Sequence, residues 1–131
     1  MKKTGILNKD ISEVIASLGH TDTIAIGDAG LPIPDGPRRI DLAVCQGVPP
    51  FFSVLETVLS ELKVQKVTIA SEMKDVSNDV YAKIIEMFKD IEVEVIPHTE
   101  LKKRLCSTKA VIRTGEFTPY ANIILEAGVV F

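Results

Sequence analysis

The sequence lacks the features that would place the protein in a membrane, outside the cell or on nucleic acid. Its longest apolar runs, such as residues 121–131, are broken by Asn122 and Glu126 and fall far short of the roughly 20 residues that a membrane span needs. Asn8 and nearby charged residues interrupt any signal-peptide stretch behind the N-terminal lysines. A net charge of −3 gives no reason to expect nucleic acid or anionic lipid. We therefore expect a cytoplasmic protein with no nucleic-acid or membrane partner.

Cysteine and histidine are scarce as well. Only Cys45 and Cys106 occur, both in apolar segments and without CxxC or Cys/His ligand spacing, so we expect two reduced thiols in the core. The two histidines, His20 and His98, show neither HxH nor HxxxH spacing, and we expect no metal site.

Three motifs of nucleotide and covalent chemistry are absent. The chain has no GxxxxGK[ST] loop for phosphates, no GxGxxG after its first predicted strand, and no GxSxG nucleophile elbow. What remains is a polar pocket for an uncharged small molecule, with imidazoles that could move protons.

The residues that are present predict a single α/β domain over residues 1–131. The chain is 46% hydrophobic, which is enough for a core, and it has no linker or repeat. Apolar spacing predicts four helices, the first capped by Asn8 and stopped by a left-handed Gly19. The predicted strands are residues 23–26, 39–44, 67–70, 92–96, 110–114 and 122–125. About seven residues separate the last two strands, too few for a parallel crossover, so these strands should be antiparallel or lie apart. We expect a three-layer α/β/α fold with a mostly parallel, about six-stranded sheet that is mixed near the C-terminus.

Polar residues follow several of the predicted strands, where ligands collect in open α/β sheets. Asp28 lies between glycines after the first strand, and His98 follows the fourth. Tyr120 and Asn122 belong to a segment whose phenol and amide would suit a sugar pocket. Each also has a simpler interpretation, because Asp28 could only form a turn and either histidine could lie on the surface or cap a helix.

Six longer motifs follow one another along the chain: LGHTD at residues 18–22, DAGLPIP at 28–34, RIDLA at 39–43, QGVP at 46–49, VIRTGE at 111–116 and TPYANIIL at 118–125. Together they resemble the RbsD/FucU family of sugar mutarotases essentially from end to end. Residues 72–109 match less distinctively.

The resemblance implies cofactor-independent conversion of β-D-ribopyranose to β-D-ribofuranose in the cytoplasm, upstream of ribokinase. It also implies that His20 is the proton donor, with Asp28, His98, Tyr120, Ala121 and Asn122 binding D-ribose. The family further implies a homodecamer of two stacked pentameric rings, with sites between neighbouring subunits.

The residues themselves leave two alternatives open. The domain could bind a sugar without turnover, or it could act mainly on L-fucose or another sugar, since pocket polarity does not encode which hydroxyls are axial. The apolar end, Val129 to Phe131, is expected to lie beside the segment of Tyr120 and to be buried in the core or against another subunit.

Overall fold

The computed structural model describes all 131 residues, from Met1 to Phe131. The helices are α1 (Lys9–Ser17), α2 (Phe51–Leu59), α3 (Glu72–Val76), α4 (Asn78–Met87) and α5 (His98–Arg104), followed by a 3-10 helix (Leu105–Ser107). The strands are β1 (Thr23–Gly27), β2 (Arg38–Asp41), β3 (Val64–Ala70), β4 (Glu92–Ile96), β5 (Ala110–Arg113) and β6 (Ile123–Ala127).

All six strands form one sheet in the order β2-β5-β1-β6-β3-β4. The pairs β2/β5, β5/β1 and β3/β4 are parallel, and only β6 runs antiparallel, between β1 and β3. This arrangement confirms the predicted fold class. It also confirms that the last two strands lie apart, because β1 separates β5 from β6.

The two faces of the sheet carry cores of unequal size. Alternate strand residues such as Ile24, Ile26 and Leu125 face a large cluster that also includes residues of α1, α2 and α4. The intervening residues face a smaller cluster, to which α5 contributes Leu101. Because successive strand side chains point to opposite faces, both faces of the sheet are apolar and both are covered by helices, with the larger core on one face.

Several element ends differ from the sequence prediction. Asn8 does cap α1, its Oδ1 accepting from the Ile11 N–H at 3.0 Å. However, Gly19 is not left-handed, and Thr21 has the positive φ of 70° instead. Strand β2 ends early because the Asp41 side chain accepts the Ala43 N–H at 3.0 Å in a turn. The short helix α3 was not predicted.

The expected burial of both cysteines is wrong. Of the two places expected for the C-terminal tail, the core of its own chain is excluded, and burial against another subunit stays a prediction. Cys45 and Cys106 are free, as expected, but both are exposed, because their apolar neighbours in sequence do not hold these side chains in either core. The C-terminal residues are also outside the core, with Val130 86% and Phe131 101% exposed. They follow the end of β6, whereas Tyr120 precedes its start, so the tail does not lie beside that segment.

The helices of the structure are all short. None of them is both long enough and apolar enough to cross a membrane.

Candidate functional site

One edge of the sheet collects polar groups from four strands. Asp28 follows β1, Glu72 follows β3 and His98 follows β4, so all three lie at carboxyl ends of mutually parallel strands. Because β6 runs the other way, its starting residue is at this same edge, and Asn122 immediately precedes it. The topology therefore brings together residues that are far apart in sequence, at the place where α/β sheets bind ligands.

Asp28 and Asn122 hold each other through two hydrogen bonds. Asn122 Nδ2 donates to Asp28 Oδ2 at 2.9 Å, and the Asp28 backbone N–H donates to Asn122 Oδ1 at 2.9 Å. The Gly30 N–H donates to the other carboxylate oxygen, also at 2.9 Å. Each oxygen of Asp28 thus keeps acceptor capacity for a ligand hydroxyl while its position is fixed.

Gly27 makes this pairing sterically possible. A Cβ at this position would collide with the side chain of Leu31 and lie 3.0 Å from Asn122 Oδ1. The glycine before Asp28 is therefore required by close packing.

His98 begins α5, and its surroundings favour the neutral form of its imidazole. Its backbone N–H donates to the carboxylate of Glu72 at 2.9 Å and 3.2 Å, which caps the helix from a distant element. Burial, helped by the positive charge of Lys102, lowers the pKa of His98 although Glu72 and Asp28 oppose this shift. A neutral imidazole is suited to hydrogen bonding with a sugar hydroxyl.

The ring of His98 packs edge-on against Tyr120, with centroids 5.0 Å apart and planes at 84°. Its Nδ1 is the one buried side-chain polar atom in the structure without a hydrogen-bond partner. Buried polar atoms are almost always paired, so an orphan here marks a position where a further polar group is expected.

The segment before β6 has an unusual backbone. Tyr120 has a φ of 62°, which is uncommon for a bulky residue and costs about 1–3 kcal/mol. The Asn122 N–H donates to the Tyr120 carbonyl at 2.7 Å, and Ser77 Oγ donates to the Pro119 carbonyl at 2.6 Å. Ala121 is fully buried in the larger core, so its side chain offers nothing to a ligand.

Glu116 stabilises this loop, a role that the sequence analysis missed. Its carboxylate accepts the N–H of Phe51, the first residue of α2, and the N–H and hydroxyl of Thr118. Burial alone would raise the pKa of Glu116, but the hydrogen bonds from Phe51 and Thr118 lower it overall. The available signal was that α2 starts after Pro50 with no capping side chain of its own.

His20 lies at the opposite edge of the sheet. His20 precedes β1, whereas Asp28 follows that strand. The five residue steps from Thr23 to Asp28, at about 3.3 Å each, already separate these two residues by about 16 Å. The ring Nε2 of His20 is 3.0 Å from Oε1 of Gln65, near the start of β3. A single chain therefore brings together Asp28, His98 and the segment 120–122 but does not bring His20 to them.

A cleft of about 380 Å³ opens next to Asp28, a volume typical of small-molecule sites. It is lined by Asp28, Ala29, Gly30, Arg113, Glu116, Phe117, Thr118 and Pro119. No group of three or more His, Cys, Asp or Glu side chains is arranged to hold a metal ion. His98, Tyr120 and Asn122 are not among these lining residues, and Asp28 is the residue common to the cleft and to their cluster. The fold and the site thus define an α/β protein with a polar cleft beside Asp28, of a size for a small molecule.

Comparison with known proteins identifies the family. The chain belongs to the RbsD / FucU transport protein family, whose model matches residues 1–130. Proteins called D-ribose pyranase from Clostridium perfringens and Lactobacillus acidophilus are 56% and 55% identical, over the full length of both chains. The protein in the structure of Bacillus subtilis RbsD complexed with D-ribose is 47% identical to this chain. The match covers the full length of both chains, with a TM-score of 0.97. A fucose mutarotase from Streptococcus pneumoniae, solved with L-fucose, shares the fold at 22% identity over 95% of each chain and a TM-score of 0.77. The predicted family membership is confirmed.

Proposed function

We propose that the chain is a D-ribose pyranase, which interconverts β-D-ribopyranose and β-D-ribofuranose without a cofactor. The observation that carries the proposal is the full-length match to relatives of that name, at 51% to 56% identity. The near-identical fold of a protein solved with D-ribose supports the same substrate. The likeness to a fucose mutarotase extends only to the fold, and therefore gives no support for fucose.

The sugar binds at the edge that holds Asp28. The carboxylate of Asp28 accepts sugar hydroxyls, and Asn122 and Tyr120 complete the hydrogen bonding, with Ala121 contributing backbone groups. His98 meets the sugar as a neutral imidazole, which agrees with its lowered pKa and with its unpaired Nδ1.

His20 donates the proton, and the His20 that serves a given site belongs to a neighbouring subunit. The support is that, within one chain, His20 lies at the opposite edge of the sheet from Asp28. An interface that joins two different edges is head-to-tail, and repeating such a contact generates a ring when the rotation closes. This geometry supports a ring, and the family resemblance is the support for five subunits in each ring and for the stacking of two rings into a homodecamer.

The reaction requires a hemiacetal to open and a different hydroxyl to close on the aldehyde. Protonation of the ring oxygen by His20, with transfer of the anomeric hydroxyl proton to a base, either His98 or water, produces the open chain. Reclosure through the other hydroxyl reverses these transfers. Each well-placed acid or base contributes about 10²- to 10⁴-fold to the rate.

The product form would be consumed by ribokinase in the cytoplasm. The support for this setting is the family resemblance.

The test is saturation-transfer NMR between the ring forms of D-ribose, with and without the protein. We expect accelerated exchange for ribose and much less for L-fucose and glucose, and we expect His20→Ala to remove nearly all of it while the protein stays folded. A protein that binds ribose and leaves the exchange rate unchanged would be a sugar-binding protein without turnover. Full activity in folded His20→Ala would contradict the role of His20.

A further inference from the structure

Gln65 occupies an irregular position in β3. The pairing of β3 with β6 shifts register between Val64 and Lys66, which leaves Gln65 as the extra residue of a β-bulge. Val67 and Ile69 face the larger core, and strict alternation would send Gln65 there as well. Because of the bulge, Val64 takes the core position, and the side chain of Gln65 is free to reach Glu126. Bulges often direct a side chain in this way beside functional sites.

Gln65 joins His20 to Glu126 in a chain of hydrogen bonds. Its Nε2 donates to Glu126 Oε1 at 2.7 Å, and its Oε1 lies 3.0 Å from Nε2 of His20. An ionised carboxylate only accepts hydrogen bonds, so Glu126 fixes which end of the amide faces it. The amide oxygen must then face His20, and the imidazole nitrogen it meets must carry a hydrogen.

The backbone that carries His20 is also fixed. The Asp22 N–H donates to the Gly19 carbonyl at 3.1 Å, and Asp22 Oδ2 accepts the Gly19 N–H at 2.9 Å, which closes a four-residue turn. Thr21, at the third position, has the positive φ that a type II turn requires. The Thr21 N–H donates to the carbonyl of Ala127 at 2.9 Å, which ties the turn to the end of β6.

We propose that Gln65 and Glu126 are positioning residues for His20, holding its Nε2 protonated so that Nδ1 is the nitrogen that exchanges a proton with the sugar. This inference rests on the proposed catalytic role of His20. When Nδ1 gains a proton, the cation keeps its Nε2–H bond to the amide oxygen. When Nδ1 gives that proton to the ring oxygen, the neutral ring returns to the same tautomer. The imidazole of His20 thus completes a catalytic cycle without rotating its ring.

The test reads the tautomer of His20 directly, from the ring ¹⁵N chemical shifts of histidine-labelled protein. The chain has only two histidines, so the signals missing in His20→Ala assign the ring. We expect one neutral tautomer, Nε2–H, in the native protein. In Glu126→Gln the amide of Gln65 is free to turn over, so the Nδ1–H tautomer should appear although residue 126 does not contact His20. Gln65→Met should have the same effect.

The exchange rate provides the second readout. Loss of one hydrogen bond of ordinary strength predicts a fall in kcat of between about two- and tenfold in Gln65→Met, with KM changed by less than about twofold. The double variant Gln65→Glu with Glu126→Gln reverses the polarity of the pair and presents a carboxylate oxygen to His20. It should restore the single tautomer and most of the rate. Glu92→Gln is the matched control, because it removes a carboxylate that contacts Lys66 rather than Gln65.

The possible outcomes separate the two proposals. An Nδ1–H tautomer in the native protein, or an unchanged tautomer in both single variants, would overturn the positioning role. A shifted tautomer with native kcat would overturn its catalytic importance. Full activity in His20→Ala would instead remove the role of His20 itself, whatever the tautomer. Urea unfolding of each variant identifies any loss of rate that comes from a loss of folded protein, and the double variant tests the role if a single variant does not fold.

Discussion

His20 precedes and Asp28 follows the same strand, β1, so the two residues lie at opposite edges of the sheet in each chain. Asp28 is joined there by Asn122 and His98, whereas His20 contacts Gln65. If the reaction needs both a proton donor and a sugar-binding carboxylate, two chains must meet with different edges facing each other. The site would then be complete only in the assembled protein.

Replacing Asp28 with asparagine should weaken ribose binding more than it destabilises the fold. A hydrogen bond between a hydroxyl and a charged acceptor contributes about 1.5–3 kcal/mol, and an amide with one oxygen retains only part of it. In the native protein one carboxylate oxygen accepts the Gly30 N–H and the other accepts from Asn122 Nδ2, and the single oxygen of an amide cannot accept both hydrogen bonds in this geometry. Calorimetric titration with ribose and urea unfolding measure the two effects. Asp90→Asn, at an exposed position, is the control, and unchanged ribose affinity in Asp28→Asn would reduce Asp28 to a turn-forming role.

Deleting Val129 to Phe131 should shift the protein to smaller species and reduce turnover together. These residues leave β6 at the edge that carries His20, and Phe131 is fully exposed in the single chain. Full burial of such side chains contributes about 1.5 to 3 kcal/mol each, which is enough to matter at a subunit interface. Light scattering and ring-form exchange are the measurements. If the intact protein is a monomer that still catalyses exchange, both the shared site and the ring assembly are wrong.

Stability should depend on Glu94 in a defined acid range. Hydrogen bonds from Arg104, with further support from Lys66 and against the opposing effect of burial, lower the pKa of Glu94 from 4.5 to about 2. The unfolded chain therefore binds this proton first as the pH falls, so the stabilisation is complete above pH 4.5 and is lost towards pH 2.

Glu94→Gln should accordingly be less stable than the native protein at neutral pH, and the difference should narrow as the pH falls to 3. Urea midpoints at both pH values test this. Glu92→Gln removes a carboxylate that shares Lys66 but has no contact with Arg104, and it should show a smaller effect. A difference in stability between Glu94→Gln and the native protein that stays constant with pH would contradict the assigned ion pair.

Local features of the fold could be predicted from the sequence because local chemistry determines them. Asn8 was identified as a helix cap, and strict alternation gave β4 its correct bounds, Glu92–Ile96. The order of the strands could not be derived, because the insertion of β6 between β1 and β3 depends on contacts between distant segments. Cys45 and Cys106 were misplaced because apolar neighbours in sequence do not show which way a loop side chain points.

The candidate site was predicted only in part, for a related reason. Asp28 and His98 were predicted because each follows a strand, and the structure places them at one edge, while their binding of a sugar stays a prediction. Glu72 and Glu116 were missed, since each caps a helix from a remote part of the chain. Gln65 was missed because its direction depends on a β-bulge, which no local sequence pattern revealed.

The most direct test of the central claim combines two impaired variants, one without the proton donor and one with weakened ribose binding. His20→Ala and Asp28→Asn chains, unfolded and refolded together in equal amounts, would form mixed rings. An interface is active when its His20 comes from an Asp28→Asn chain and its Asp28 from a His20→Ala chain, a chance of one half times one half. We therefore predict that, at ribose concentrations below saturation, the mixture reaches about one quarter of the native ring-form exchange rate, well above the rate of either variant refolded alone. No recovery in mixtures that are shown to contain both chains in one assembly would contradict a site shared between subunits.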